Sequence, residues 1–145
     1  MNNEIIIKKF MPVSNAEAFL WFTDREKLVK WLCLDAIVEK ATMGKYELFW
    51  NLEDRKVDST LGCQLLSYDP PYQIATNWKV TTDFDSLIGD TTTRLVVSFF
   101  ECSLGTYVTL VHTGWQSKEE WRGVRAWQEE AWQVALGRLE GCLNE

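Results

Sequence analysis

"EAWQVALGRLEGCL", residues 130–143, spaces its apolar side chains at the three-and-four interval of a helix with one buried face. Extended backwards, the same face takes in Trp121 and Val124. At about 100° per residue, Val124, Trp132, Ala135, Leu139 and Leu143 all lie within about 60° of Trp121. A stripe of that width needs a sheet or another helix to cover it. Ser117 and Glu120 fit the S/T-x-x-E capping box, so the expected helix runs from 117 to 143.

Trp115, Trp121, Trp127 and Trp132 are half of the chain's eight tryptophans. They do not form one surface. Trp121 and Trp132 belong to the stripe, Trp115 precedes the cap, and Trp127 stands about 120° from Trp121, on the flank. Gly123, Gly137 and Gly141 fall opposite the stripe, each costing a helix interior about 1 kcal/mol relative to alanine. Either exposed glycines are tolerated there, or a second element or a second copy in a homodimer approaches that back face.

Upstream the pattern is mostly that of strands. "EIIIKKF" (4–10) is β-branched and apolar, and it runs into "MPVSNAEAFLWFTDREKLVKWL", which reads as two short helices. Ser14 with Glu17, and Thr23 with Glu26, are the capping boxes expected to start them. From Leu34 the period drops to two. "LDAIVEKAT" and "KYELFWNL" make a hairpin with Gly44 at the turn, and Tyr46, Leu48 and Trp50 share a face. "NLEDRKVDS" reads as a solvated loop rather than a catalytic carboxylate pair. "TLGCQLLSY", "YQIATNWKV", "TRLVVSFFECS" and "TYVTLVHTGW" supply four more strands with short connections, which imply antiparallel neighbours in a meander.

Composition bounds the function. The 145 residues predict a single domain, 1–145, with a core large enough to need no disulfide staple. A net charge of −6 argues against nucleic acid, whose backbone is held by clustered lysine and arginine. The N-terminus "MNNEIIIKKF" is too short in apolar residues for a signal peptide or a membrane span, so no membrane contact and a cytoplasmic location are expected. Cys33, Cys63, Cys102 and Cys142 are far apart in sequence and have one histidine between them. They read as small buried hydrophobes, with a reactive thiol as the alternative; no metal site and no cofactor is expected.

The element order, a strand, two short helices, an antiparallel meander and a long final helix, resembles the START-like or helix-grip superfamily. Within residues 130–143, Trp132, Leu136, Leu139 and Leu143 match the G-W-x-x-a-L-x-x-L-x-x-x-L ending of SRPBCC proteins related to the C-terminal domain of the activator of heat-shock-protein-90 ATPase. Ala131 replaces the usual glycine. "HTGW" (112–115) resembles the family's h-x-g-f strand end, and "DPPY" its p-p before a central strand. "TMGKYEL" has one glycine where relatives often carry a pair. The resemblance implies an α+β fold: a curved six- to seven-stranded antiparallel sheet wrapped around the C-terminal helix, with a cavity between them that in relatives receives apolar molecules.

Three function classes compete. A binding module needs a large apolar pocket with few polar anchors. Strand alternation puts Ile74, Thr76, Trp78 and Val80 on one face, and Leu95, Val97 and Phe99 on the next. Trp50, Trp78, Phe99, Leu110 and His112 are therefore the expected ligand-binding lining, with Trp127 closing the mouth; the alternative is that these side chains fill the space. An enzyme finds little support, because phosphate-loop, dinucleotide and zincin motifs are absent. Only His112 could exchange a proton on the cavity wall, unless it is bonded to backbone or water. "DFDSLIGD" (83–90) lacks the glycine and the final glutamate of a calcium loop and reads as an acidic turn. The third class, a stress-related co-chaperone-like module with a chaperone as partner, follows from the resemblance alone. The full co-chaperone also carries an N-terminal gripping domain, and none is expected within these 145 residues. The expected reading is non-catalytic binding of a small apolar or aromatic molecule.

Overall fold

The structure, a computed structural model, describes residues 3–80, 82–89 and 91–144. Met1 and Asn2 of the N-terminal stretch, and Asp90 of the acidic turn, lie outside the described residues. Strand β1 (Ile5–Met11) turns Ile5, Ile7 and Met11 inward. Helices α1 (Asn15–Thr23) and α2 (Arg25–Trp31) follow. Ser14 caps α1, its Oγ accepting the Glu17 N–H at 3.2 Å, but the box is half made, because the Glu17 carboxylate pairs with Lys27 at 3.2 Å. The second expected box does not form. Thr23 ends α1 and its hydroxyl donates back to Phe19 O at 2.9 Å, so α2 starts from Asp24 with no side-chain cap.

Among the described residues seven strands form, but not as one ladder. Strands β4 (Leu65–Asp69), β5 (Gln73–Trp78), β6 (Thr93–Cys102) and β7 (Gly105–Thr113) are the expected meander. β1 adds to its far edge, giving an antiparallel sheet in the order β1-β7-β6-β5-β4. β2 (Asp35–Val38) and β3 (Tyr46–Phe49) pair as a separate ribbon. The division arises between Trp50 and Gln64, where Asp58 (φ 48°) and Gly62 (φ 88°) take the left-handed conformation and break the ladder. The ribbon is nevertheless tied to the edge of the sheet. The Tyr46 N–H bonds Cys63 O at 2.9 Å, the Leu65 N–H bonds Gly44 O at 2.8 Å, and single bridges join Lys45 to Gln64 and Phe49 to Ser59.

The last helix, α4 (Arg122–Leu143), is entered through a 3-10 turn, Glu119–Trp121, and the expected Ser117 cap is not made. Val124, Trp132, Ala135, Leu136 and Leu139 are buried in one cluster with Ile74, Trp78, Leu95, Val97, Phe99 and Leu110 of the sheet. This is the helix-grip arrangement. Ties at both ends hold the helix in place. Near its start the Arg125 guanidinium donates to Asn3 O and Glu4 O at 2.6 and 2.8 Å; near its end Lys9 pairs with Glu140 at 3.0 Å. Gly114, with φ 94°, lets the chain leave β7; a Cβ there would stand 3.2 Å from the Thr93 Cα. The back-face glycines Gly123, Gly137 and Gly141 are exposed, with nothing within 4 Å of where a Cβ would be.

The acidic turn becomes a 3-10 turn, Thr82–Phe84, and a four-residue helix, α3 (Asp85–Ile88). Among the described residues no group of three or more His, Cys, Asp or Glu stands close enough to hold a metal ion. None of their helices is long and apolar enough to cross a membrane.

Candidate ligand groove

A groove of about 480 Å³ opens where α4 passes the end of β5 and the connection from β3 to β4. Its floor is tryptophan. Trp78, inward by the period-two rule at the end of β5, and Trp132, on the α4 stripe, bring their rings to 5.0 Å between centroids. Trp50 meets Trp78 edge-on at 6.1 Å, and its indole N–H donates to Leu32 O at 2.6 Å, which fixes the ring. Trp127 stands on the rim, 42% exposed, with its ring edge-on to Phe84 at 5.9 Å. Its flank position on the helix is why it reaches the mouth and not the core.

Three of the six predicted lining residues, Trp50, Trp78 and Trp127, thus meet at the groove, and the other three lie deeper. Phe99 and Leu110 are buried where α1 and α4 fill the sheet; Phe99 packs edge-on against Phe19 and Phe22 at 5.3 and 5.4 Å. His112 is fully buried, and both ring nitrogens are engaged. Trp132 Nε1–H donates to Nδ1 at 3.0 Å, and because an indole nitrogen only donates, the histidine proton belongs on Nε2. Nε2–H then donates to Thr93 Oγ1 at 2.6 Å, and the Thr93 hydroxyl in turn donates to Trp78 O at 3.2 Å. Burial pushes the His112 pKa down to about 3, so the ring is neutral at physiological pH. The imidazole is a polar pin between sheet and helix, with no nitrogen turned to a ligand.

The cysteines divide. Cys33 and Cys63 are buried and burial raises their thiols to about 12 and about 11, which keeps them protonated. Cys102 and Cys142, expected to be buried, are half-buried because they sit at strand and helix ends.

One rim of the groove, the Asn51–Asp58 loop, is tied to β2 through a carboxylate. Asp35 accepts Arg25 Nε at 2.7 Å through Oδ1 and Arg55 at 2.6 Å through Oδ2, and Arg55 also lies over the Phe49 ring at 4.6 Å. The Arg55 hydrogen bond leads in lowering the Asp35 pKa to about 2. Both arginines are largely exposed, so screening limits the pair's worth. Asp35→Ala should cost about 1 kcal/mol and speed amide hydrogen exchange across residues 51–58; unchanged exchange there would show that the loop is held by other contacts.

Sequence reasoning missed Gln128, which lines the groove while only 4% exposed. Its signal was present. At about 100° per residue it falls about 20° from Trp121, in the middle of the apolar stripe, where a polar side chain needs a reason. Ser59, equally buried, lines the groove from the loop side, with Oγ accepting the Leu61 N–H at 3.3 Å.

Solved structures share this architecture. Protein MLL2253 from Mesorhizobium loti superposes with a TM-score of 0.80 at 13% identity, over 97% of this chain and 96% of its own. An HSP90 activator from Plasmodium falciparum gives 0.72 at 20% identity, over 97% and 96%. CalU16 from Micromonospora echinospora gives 0.72 at 18%, over 97% and 75%. At such identities the likeness is one of fold. No curated protein matches by sequence. The family described as "Activator of Hsp90 ATPase homolog 1-like protein" matches residues 12–144, from the end of β1 through the whole of α4, and the chain belongs to that family.

Proposed function

We propose that the chain, acting as one domain over residues 1–145, binds a small apolar or aromatic molecule in the groove between sheet and C-terminal helix without transforming it. The observation that supports this reading is the Trp50–Trp78–Trp132 floor beneath a groove of about 480 Å³. That volume lies in the range of pockets for drug-sized ligands, roughly 300–1,000 Å³. His112, already shared between Thr93 and Trp132, gives no support to a cavity enzyme built on it. Native and denaturing mass spectra of freshly purified protein test the binding reading. A discrete extra mass lost on denaturation supports it, and coincident masses count against it; the native spectrum also reports whether a homodimer forms.

Trp127→Ala should weaken ligand binding about fivefold or more while costing only about 1 kcal/mol of stability, since the ring is half in water. A loss as large as that of a core tryptophan would move Trp127 from the rim into the core.

A second reading, a co-chaperone-like module that acts on a chaperone, rests on the family description and on the Plasmodium relative. It requires a measurable complex with Hsp90 or a change in Hsp90 ATPase rate on adding the purified chain.

A further inference from the structure

Among the described residues Gln128 is the one polar side chain on the buried stripe of α4, beside Val124 and Trp132, and its amide makes no hydrogen bond to them. Its amide atoms are not sealed off inside the protein, so they face the groove, and a ligand that fills the groove must offer them a hydrogen-bond partner or leave them buried at a cost. Gln128 lines the groove next to the tryptophan floor. A side-chain amide offers one acceptor oxygen and two N–H donors in a plane. Its complement is another planar group with a donor and an acceptor side by side. The charges around the groove point away from an ion: Lys79 and Arg138 are set against Asp58, Asp83 and Glu130, and none is as buried as Gln128.

We propose that Gln128 selects a neutral aromatic ligand bearing an amide-type edge, a carboxamide or lactam, which stacks on the groove's tryptophans and pairs with the Gln128 side chain. This inference rests on the binding reading above and names the ligand class for the same groove. Stacking holds the flat ring system, and the paired edge fixes its orientation. Ligands of the same shape without that edge would leave the glutamine orphaned, which is how a polar group inside an apolar pocket discriminates.

Calorimetric titration of the full chain with three probes tests it: naphthalene-2-carboxamide, 2-isopropylnaphthalene of nearly the same shape, and naphthalene-2-carboxylate. The carboxamide should bind about tenfold or more tightly than the isopropyl compound. In Gln128→Met, which keeps the volume, that preference should vanish while affinity for the isopropyl compound is kept or improved. Equal binding of carboxamide and isopropyl compound by the unaltered chain overturns the inference and leaves the groove reading intact. Tightest binding of the carboxylate also overturns it, shifting recognition to Lys79 and Arg138. Failure of all three probes to bind removes the groove reading together with the inference. The comparison of probes on the unaltered chain decides the matter even where the variant does not fold.

Discussion

Trp132→Ala should lower the unfolding free energy by about 3–5 kcal/mol, near the top of the range for a core truncation. Two losses combine. The ring is 2% exposed and packs on Trp78, so its removal leaves a cavity where helix and sheet meet. The indole N–H also donates to His112 Nδ1, and alanine leaves that buried acceptor unpaired. Trp132→Phe goes part of the way, since it keeps a ring in place but loses the donor and some of the buried volume; it should cost about 1–3 kcal/mol. Urea unfolding followed by circular dichroism measures both, and an unchanged m-value would confirm that only the native state is affected. A cost under about 1 kcal/mol for the alanine variant would mean that α4 is not gripped through this ring.

Acid should destabilise the protein well before most carboxylates titrate. His112 takes up a proton near pH 6.5 in the unfolded chain but only near 3 in the folded one, so between these values the unfolded state binds more protons. Stability is therefore fully present above about pH 6.5 and falls as pH drops towards 3. From about pH 7 to about pH 4.5 the loss should be on the order of 2–3 kcal/mol. Asp35 acts lower: held down to about 2 from 3.8, it contributes stability that disappears only as pH falls below about 4. Urea midpoints at the two pH values, compared with those of His112→Asn, isolate the histidine. The variant should lose most of the pH dependence in this window even though it is less stable throughout. An identical dependence in both proteins would contradict the buried, neutral imidazole.

Much of this architecture is legible in the sequence because it follows from period and capping. The alternation Ile74, Thr76, Trp78, Val80 places all four inward, and all four are buried. Ser14 makes its half of the expected box, accepting the Glu17 N–H, while the Glu17 carboxylate pairs with Lys27 instead of returning to Ser14. The other two boxes fail for local reasons. Thr23 lies inside α1, where Phe19 O captures its hydroxyl, and the chain at Ser117 enters α4 through a 3-10 turn. Strand alternation tells which side chains face the helix, but not where along a strand the helix covers them. Phe99 and Leu110 share the inward face with Trp78, yet the first two are packed under helices and only Trp78 meets the groove. That difference is set by how α4 crosses the sheet, a long-range property no local pattern carries.

The same limit hid the roles of His112 and Gln128. The inward direction of His112 follows from its place after Val108 and Leu110, but its neutrality depends on an indole N–H arriving from twenty residues away in sequence. Gln128 was visible as a misfit on an apolar stripe. Only the groove gives that misfit a use.

The eight tryptophans make the central claim directly measurable, because each indole N–H gives its own proton–nitrogen NMR signal. Titrating the ¹⁵N-labelled chain with naphthalene-2-carboxamide should move the signals of Trp50, Trp78, Trp127 and Trp132, which line the groove, and leave those of Trp21 and Trp31 in place. Shifts confined to Trp21 and Trp31, or no shift at any indole, would contradict a ligand groove between sheet and helix.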